Sequence, residues 1–128
     1  MKRDRLWPIL IVLTVFVVSG QSEVAVPGGF NLVGIDKVAH FGVFGALATS
    51  LIRLPEFQRR GRKGAFMVIL LVSAYGGLDE WRQSSTPGRF MEFDDWIADT
   101  LGAITAVVLY TRWPAWRRLL ETPIRKPS

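Results

Sequence analysis

Residues 64–83 read GAFMVILLVSAYGGLDEWRQ. An uncharged run over 64–78 passes directly into Asp79, Glu80 and Arg82, with Trp81 and Gln83 among them. A helix needs roughly 17–25 apolar residues to cross the ~30 Å hydrocarbon core of a bilayer. This run lies near the lower limit, and three others resemble it, over 6–20, 38–54 and 96–113. They are recognised by continuity rather than by periodicity. With their flanking polar turns they predict spans over about 6–22, 36–54, 64–81 and 95–113. The competing expectation is a water-soluble helical bundle with unusually apolar helices.

Charge placement separates the two. Lys2, Arg3 and Arg5 precede the first run; Arg53, Arg59, Arg60, Arg62 and Lys63 lie between the second and third; Arg112, Arg117, Arg118, Arg125 and Lys126 follow the fourth. Thirteen of the sixteen basic residues therefore fall on what would be one side, leaving Lys37, Arg82 and Arg89 for the other. A soluble bundle has no reason to segregate charge by alternate connections. The positive-inside rule places both termini in the cytoplasm and the connections 21–37 and 79–95 outside. Trp7, Trp113 and Trp116 fall at the inner boundary and Trp81 and Trp96 at the outer one, where an apolar ring with a polar N–H is favoured. The expectation is all-α: an integral membrane four-helix bundle with both termini cytoplasmic, its first partner the lipid bilayer.

The 128 residues make one domain. A net charge of +5 and a pI near 10.2 would ordinarily suggest nucleic acid. Here the basic residues sit between apolar runs, so no nucleic-acid partner is expected. With no cysteine, disulfides, zinc–thiolate sites and thiol nucleophiles are excluded. MKRDR followed by an apolar stretch and VSG resembles a cleavable signal peptide, although the length of the run favours an uncleaved anchor. Pro27, Gly28 and Gly29 suit a turn, and the tail ETPIRKPS suits disorder. The basic connection EFQRRGRK favours anionic headgroups by about 1 kcal/mol per charge. Small residues at four-residue spacing predict close helix packing: Gly42, Ala46 and Ser50; Ser73 and Gly77; Ala98, Gly102 and Ala106. The first helix lacks such a face and is expected at the periphery.

Polar residues collect at the outer ends of the last three runs. The second opens with Asp36, Lys37 and His40; the third closes with Asp79, Glu80 and Gln83, followed by Arg89; the fourth opens with Asp94, Asp95 and Asp99. Asp36 and His40 share a helix face, as do Asp95 and Asp99. Asp99 lies about 7 Å along the helix from Asp94. An ionised acid costs roughly 2.5–3.5 kcal/mol at the centre of a spanning helix and less toward its edge, so Asp99 needs a partner or a wet pocket.

The stretches DKVAHFGVFGALA, GGLDEWRQSSTPGR and DDWIADTLGA resemble, in order, three motifs of the VanZ-like membrane proteins. The matching positions are Asp36, Lys37, His40 and Phe41; Asp79, Glu80 and Gln83 with Pro87, Gly88 and Arg89; and Asp95, Ala98, Asp99, Thr100 and Gly102. The likeness covers about residues 36–110, with the first helix fitting in general character. Trp81 stands where a smaller or different residue is usual, and Asp99 where asparagine is frequent. The resemblance implies a small multi-pass protein of a prokaryotic plasma membrane, of a family whose namesake is associated with low-level teicoplanin resistance.

Four readings of the cluster follow. The favoured one is a site for a cell-envelope precursor or lipid-linked group bearing a phosphate or carboxylate. Arg89 would be the anion anchor and Lys37 a second cation. His40, Asp79 and Glu80 would be the candidates for acid–base work, with Asp36, Gln83, Asp95 and Asp99 as ligand contacts. A second is metal-assisted hydrolysis, for which one histidine among carboxylates suits Mg²⁺, Mn²⁺ or Ca²⁺ better than zinc, without any recognised metal spacing. Ser84, Ser85 and Thr86 lack a nucleophile-elbow sequence, which disfavours a serine triad. The third reading is structural: Asp36–Lys37, Asp79 or Glu80 with Arg82, and Asp95–Arg89 as ion pairs, with Asp36 and Asp94 as helix N-caps. The protein would then be a non-catalytic membrane scaffold. Transport is disfavoured, because four short helices without a repeat leave little room for a pathway.

Overall fold

The computed structural model describes residues 3–21 and 33–122. Expectations falling on Lys2, the turn at Pro27, Gly28 and Gly29, and the tail from residue 123 onward, Arg125 and Lys126 included, lie outside these residues. Among the described residues the chain is all-helical. A 3-10 turn, Arg3–Arg5, leads into α1 (Leu6–Ser19), and α2 (Val33–Ile52), α3 (Pro55–Gln58), α4 (Gly61–Gln83), α5 (Phe93–Arg112) and α6 (Pro114–Glu121) follow.

Two X-Pro pairs set the inner ends. Proline disfavours helical geometry in the residue before it and is pre-organised for the first helical position. Leu54 (φ −70°, ψ 137°) and Trp113 (φ −111°, ψ 95°) are accordingly extended, and Pro55 and Pro114 begin α3 and α6. These two short helices were not anticipated. Both are too short to show as apolar runs, and α6 (PAWRRLLE) is a polar, amphipathic piece.

The α2–α5 seam is the most extensive contact. Phe44, Leu47, Ala48 and Ile52 from α2 meet Ala103, Ala106, Val107 and Tyr110 from α5, and Val68 and Val72 of α4 close this core. The backbones touch at Gly102: a Cβ there would lie 2.2 Å from the Phe41 carbonyl oxygen. The facing residue on α2 is Gly45, 3.3 Å by the same measure from the Gly102 carbonyl. This corrects the expected small face of α2. Gly42 and Ala46 are exposed, because packing Phe44 and Leu47 into the core turns that side of the helix outward. On α5, Gly102 and Ala106 do face inward. Ser73 of α4 meets Thr100, and Gly77 packs against the Trp96 indole. Helix α1 lies outside this core with only Pro8 and Ser19 buried.

Among the described residues, no helix is long and apolar enough to cross a membrane. The 14 residues of α1 span about 21 Å. Helices α2, α4 and α5 are longer, but charged residues stand inside their ends: Asp36 and Lys37 in α2, Arg62, Lys63, Asp79, Glu80 and Arg82 in α4, Asp94, Asp95, Asp99 and Arg112 in α5.

The up-and-down path brings the basic connections to one end. Arg5 pairs with Glu56, Arg53 donates to the Leu120 carbonyl (2.7 Å), and Gln58 donates to the Tyr110 hydroxyl (2.8 Å). Tyr110 in turn donates to Glu121, and this hydroxyl, with Arg117, holds the Glu121 carboxyl below its ordinary value of 4.5. The acidic cluster occupies the opposite end.

Candidate functional site

At that opposite end, the last two turns of α4 meet the first turns of α2 and α5 and the last residue of α1. Asp79, Glu80 and Gln83 follow at the i, i+1 and i+4 positions, so all three side chains turn inward, where they are buried. Asp79 accepts from the Ser19 hydroxyl (2.6 Å), from Arg82 (3.1 Å) and from the Gln83 amide (3.0 Å). Arg82 also donates to the Ser19 hydroxyl and to the Phe16 carbonyl (2.7 Å), and its guanidinium lies 4.2 Å from the Phe16 ring centroid. Together these contacts tie the end of α1 to α4. Glu80 accepts from Gln83 (3.2 Å) through one oxygen and from the Glu92 backbone N–H (3.0 Å) through the other. It fixes the start of α5 against the end of α4.

Across the seam, the His40 Nδ1 and Asp99 Oδ1 atoms are 2.8 Å apart, and the ring stacks on Phe44 at 6.1 Å between centroids and 7° between planes. Asp99 is completely buried, and its second oxygen, Oδ2, has no partner. Gly76 makes room for it, since a Cβ at that position would lie 2.6 Å from Oδ2. The other His40 nitrogen, Nε2, faces Asp95 Oδ2 at 3.7 Å and Asp36 Oδ1 at 3.9 Å. Lys37 donates to Asp95 Oδ1 (2.9 Å) and lies 3.5 Å from Glu92 and 4.0 Å from Asp94.

Several pairings differ from the structural reading made above. Asp95 pairs with Lys37, whereas Arg89 donates to the Gln21 carbonyl (3.3 Å). Asp36 and Asp94 are not caps: α2 begins at Val33, three residues before Asp36, and the cap position of α5 is Glu92, without a side-chain cap bond. Sequence reasoning missed two participants. Ser19 is a small polar residue at the end of an apolar run and carries no distinguishing signal. Glu92 enters through its backbone N–H and as one of three acids around Lys37.

A cleft of about 280 Å³ opens beside this cluster, between α1, α2 and α4. Val15, Val43 and Phe44, about a helix turn further in than Ser19 and His40, form its apolar walls with Val18, while Ser19, Asp36, His40, Asp79, Gln83 and Arg89 line its outer end. Glu80, Lys37, Asp95 and Asp99 do not line it. A larger cavity of about 780 Å³ lies at the basic end, between Trp7, Arg53, Gln58 and Trp116, away from every residue singled out as a site candidate. The smaller cleft has the composition of a binding site: apolar walls with a few convergent polar groups.

The sequence model of the VanZ/LLP1 family matches residues 4–116. No curated protein and no solved structure matches the chain.

Proposed function

The chain belongs to the VanZ/LLP1 family, and from that premise we propose that it is a multi-pass membrane protein whose outer cleft binds a lipid-linked group of the cell envelope. The proposal that the bundle crosses the membrane rests on its surface. Leu10, Leu13, Phe16 and Val17 on α1, Phe66, Leu70 and Leu71 on α4, and Leu101 and Val108 on α5 are all exposed. In water, apolar exposure on this scale marks an interaction surface or invites aggregation; in lipid it matches the solvent. The 20–23 residues of α2, α4 and α5 give about 30–34 Å of helix. That length brings their charged ends to the two boundaries of a bilayer.

The observation that carries the ligand class is the gradient along the cleft. An acyl or prenyl chain suits Val15, Val18, Val43 and Phe44, while a phosphate or carboxylate suits the guanidinium of Arg89 at the outer end. His40 and Asp36 face the same headgroup position. Asp79 and Glu80 act as ties between helices, Asp79 with all three of its donors from the protein and Glu80 with its two.

Native mass spectrometry of the detergent-purified chain tests this. The wild type is expected to retain a phospholipid or lipid-linked phosphate adduct, and Arg89→Gln to lose most of it while melting at the same temperature. A wild type free of adducts, or an Arg89→Gln chain that keeps them, would overturn the assignment.

A further inference from the structure

The trio beside the cleft has the makings of a metal site. With Asp99 Oδ1 2.8 Å from Nδ1, a neutral His40 donating from that nitrogen would present its Nε2 lone pair to the gap between Asp36 and Asp95. At 3.9 and 3.7 Å, neither carboxylate is within hydrogen-bonding distance of Nε2. One donor atom from each of the three residues lies within 4.8 Å of the other two. Two ligands at about 2.1 Å from a shared cation are at most about 4.2 Å apart, so the two His40–carboxylate distances already fit.

A second observation points the same way. The Asp95 side chain is only 4% exposed, and its Oδ2, the oxygen facing the gap, accepts no hydrogen bond among the described residues. Its other oxygen takes Lys37, which also serves Glu92 and Asp94. Asp99, behind His40, keeps its second oxygen fully buried against Gly76 with no donor among the described residues. A buried carboxylate that faces the gap through a free oxygen is well placed to ligate, and one lysine shared among three acids leaves carboxylate charge for a cation to offset.

We infer that Asp36, His40 and Asp95 bind a divalent cation, with Asp99 as the residue that positions His40. One imidazole nitrogen and two carboxylates, without thiolate, suit Mn²⁺ or Mg²⁺, and the nitrogen favours Mn²⁺ of the two. Three protein ligands leave coordination positions open. Asp36 and His40 also line the cleft, so the cation stands at its headgroup end. Resting on the ligand class proposed above, the cation bridges the phosphate to the protein and offsets the carboxylates that Arg89 alone would face.

The test uses the full chain in detergent, stripped with EDTA and without added lipid, titrated with Mn²⁺ and read by the electron paramagnetic resonance signal of free Mn²⁺. The wild type is expected to remove one equivalent and to melt higher with Mn²⁺ than without. Asp36→Asn, at a half-exposed side chain with no hydrogen bond among the described residues, is expected to fold normally and bind at least about tenfold more weakly. Asp99→Asn is expected to weaken binding roughly 10–100-fold, the range for a group that orients a metal ligand. A wild type that leaves the Mn²⁺ signal untouched, or an Asp36→Asn chain that titrates like it, overturns the site. Because no lipid is added to this titration, a chain that shows the lipid adduct by mass spectrometry yet binds no Mn²⁺ refutes the metal site alone.

Discussion

Asp79 and Asp99 are both buried carboxylates, and the protein treats them differently. Asp79 receives a hydroxyl, a guanidinium and an amide, whereas Asp99 receives one imidazole and keeps a bare oxygen against Gly76. The first arrangement is a structural tie. Replacing Asp79 with alanine removes the carboxylate that Arg82, Gln83 and Ser19 share, and breaking a buried charge pair costs about 3 kcal/mol or more. Arg82 is still 30% exposed, so the loss is expected near the low end of that range. Chemical unfolding in detergent measures it, and proteolysis is expected to release the α1 end first, since Asp79 and Arg82 hold Ser19. Much of this cluster was legible in the sequence. The i,i+4 spacings of Asp36 with His40 and of Asp95 with Asp99 put each pair on one helix face, and the three motifs put those faces at one end. The pairings were not legible. Whether Lys37 meets Asp95 depends on how the helices are rotated, and a one-position turn of α2 would carry it about 100° away.

Helix rotation is also what the spacing of small residues failed to give. Gly42, Ala46 and Ser50 form as regular a stripe as Gly102 and Ala106, yet the close approach on α2 is made by Gly45. The reason is competition between faces: Phe44 and Leu47 gain more by filling the core than Gly42 and Ala46 gain by admitting a neighbour. At Gly102 the constraint is firm, because the atom in the way is the backbone carbonyl of Phe41, which cannot swing aside. Gly102→Ala is therefore expected to push α2 and α5 apart and destabilise the bundle by about 1–3 kcal/mol, the range for overpacking. Gly42→Ala, with open space around it, is expected to be within about 0.5 kcal/mol of wild type. Thermal unfolding of the two variants side by side checks both. The long helices were visible because each coincides with an apolar run. The short helices α3 and α6 were hidden because neither is an apolar run: α3 is marked by a proline at its first position, and α6 by a proline and two turns of amphipathic pattern.

At the scale of the molecule, the helices gather the basic connections at one end and the acidic cluster at the other, and leave apolar side chains on the outside between them. The placement of charge along the chain anticipated this polarity, since alternate connections of an up-and-down bundle must fall on the same side. The same acids that make the candidate site also interrupt the apolar helices, which explains how a chain with a mean hydropathy of +0.24 holds no described helix that is long and apolar enough to span on its own. Both the cleft and the cation site depend on the cluster facing the outside of the cell. The chain has no cysteine, so single cysteines report without background. The measurement is labelling of Ser85→Cys and Arg60→Cys chains in intact cells with a membrane-impermeant maleimide. The account predicts that Ser85→Cys labels at once and Arg60→Cys only after the membrane is permeabilised. Equal labelling of both, or the reverse order, would contradict it.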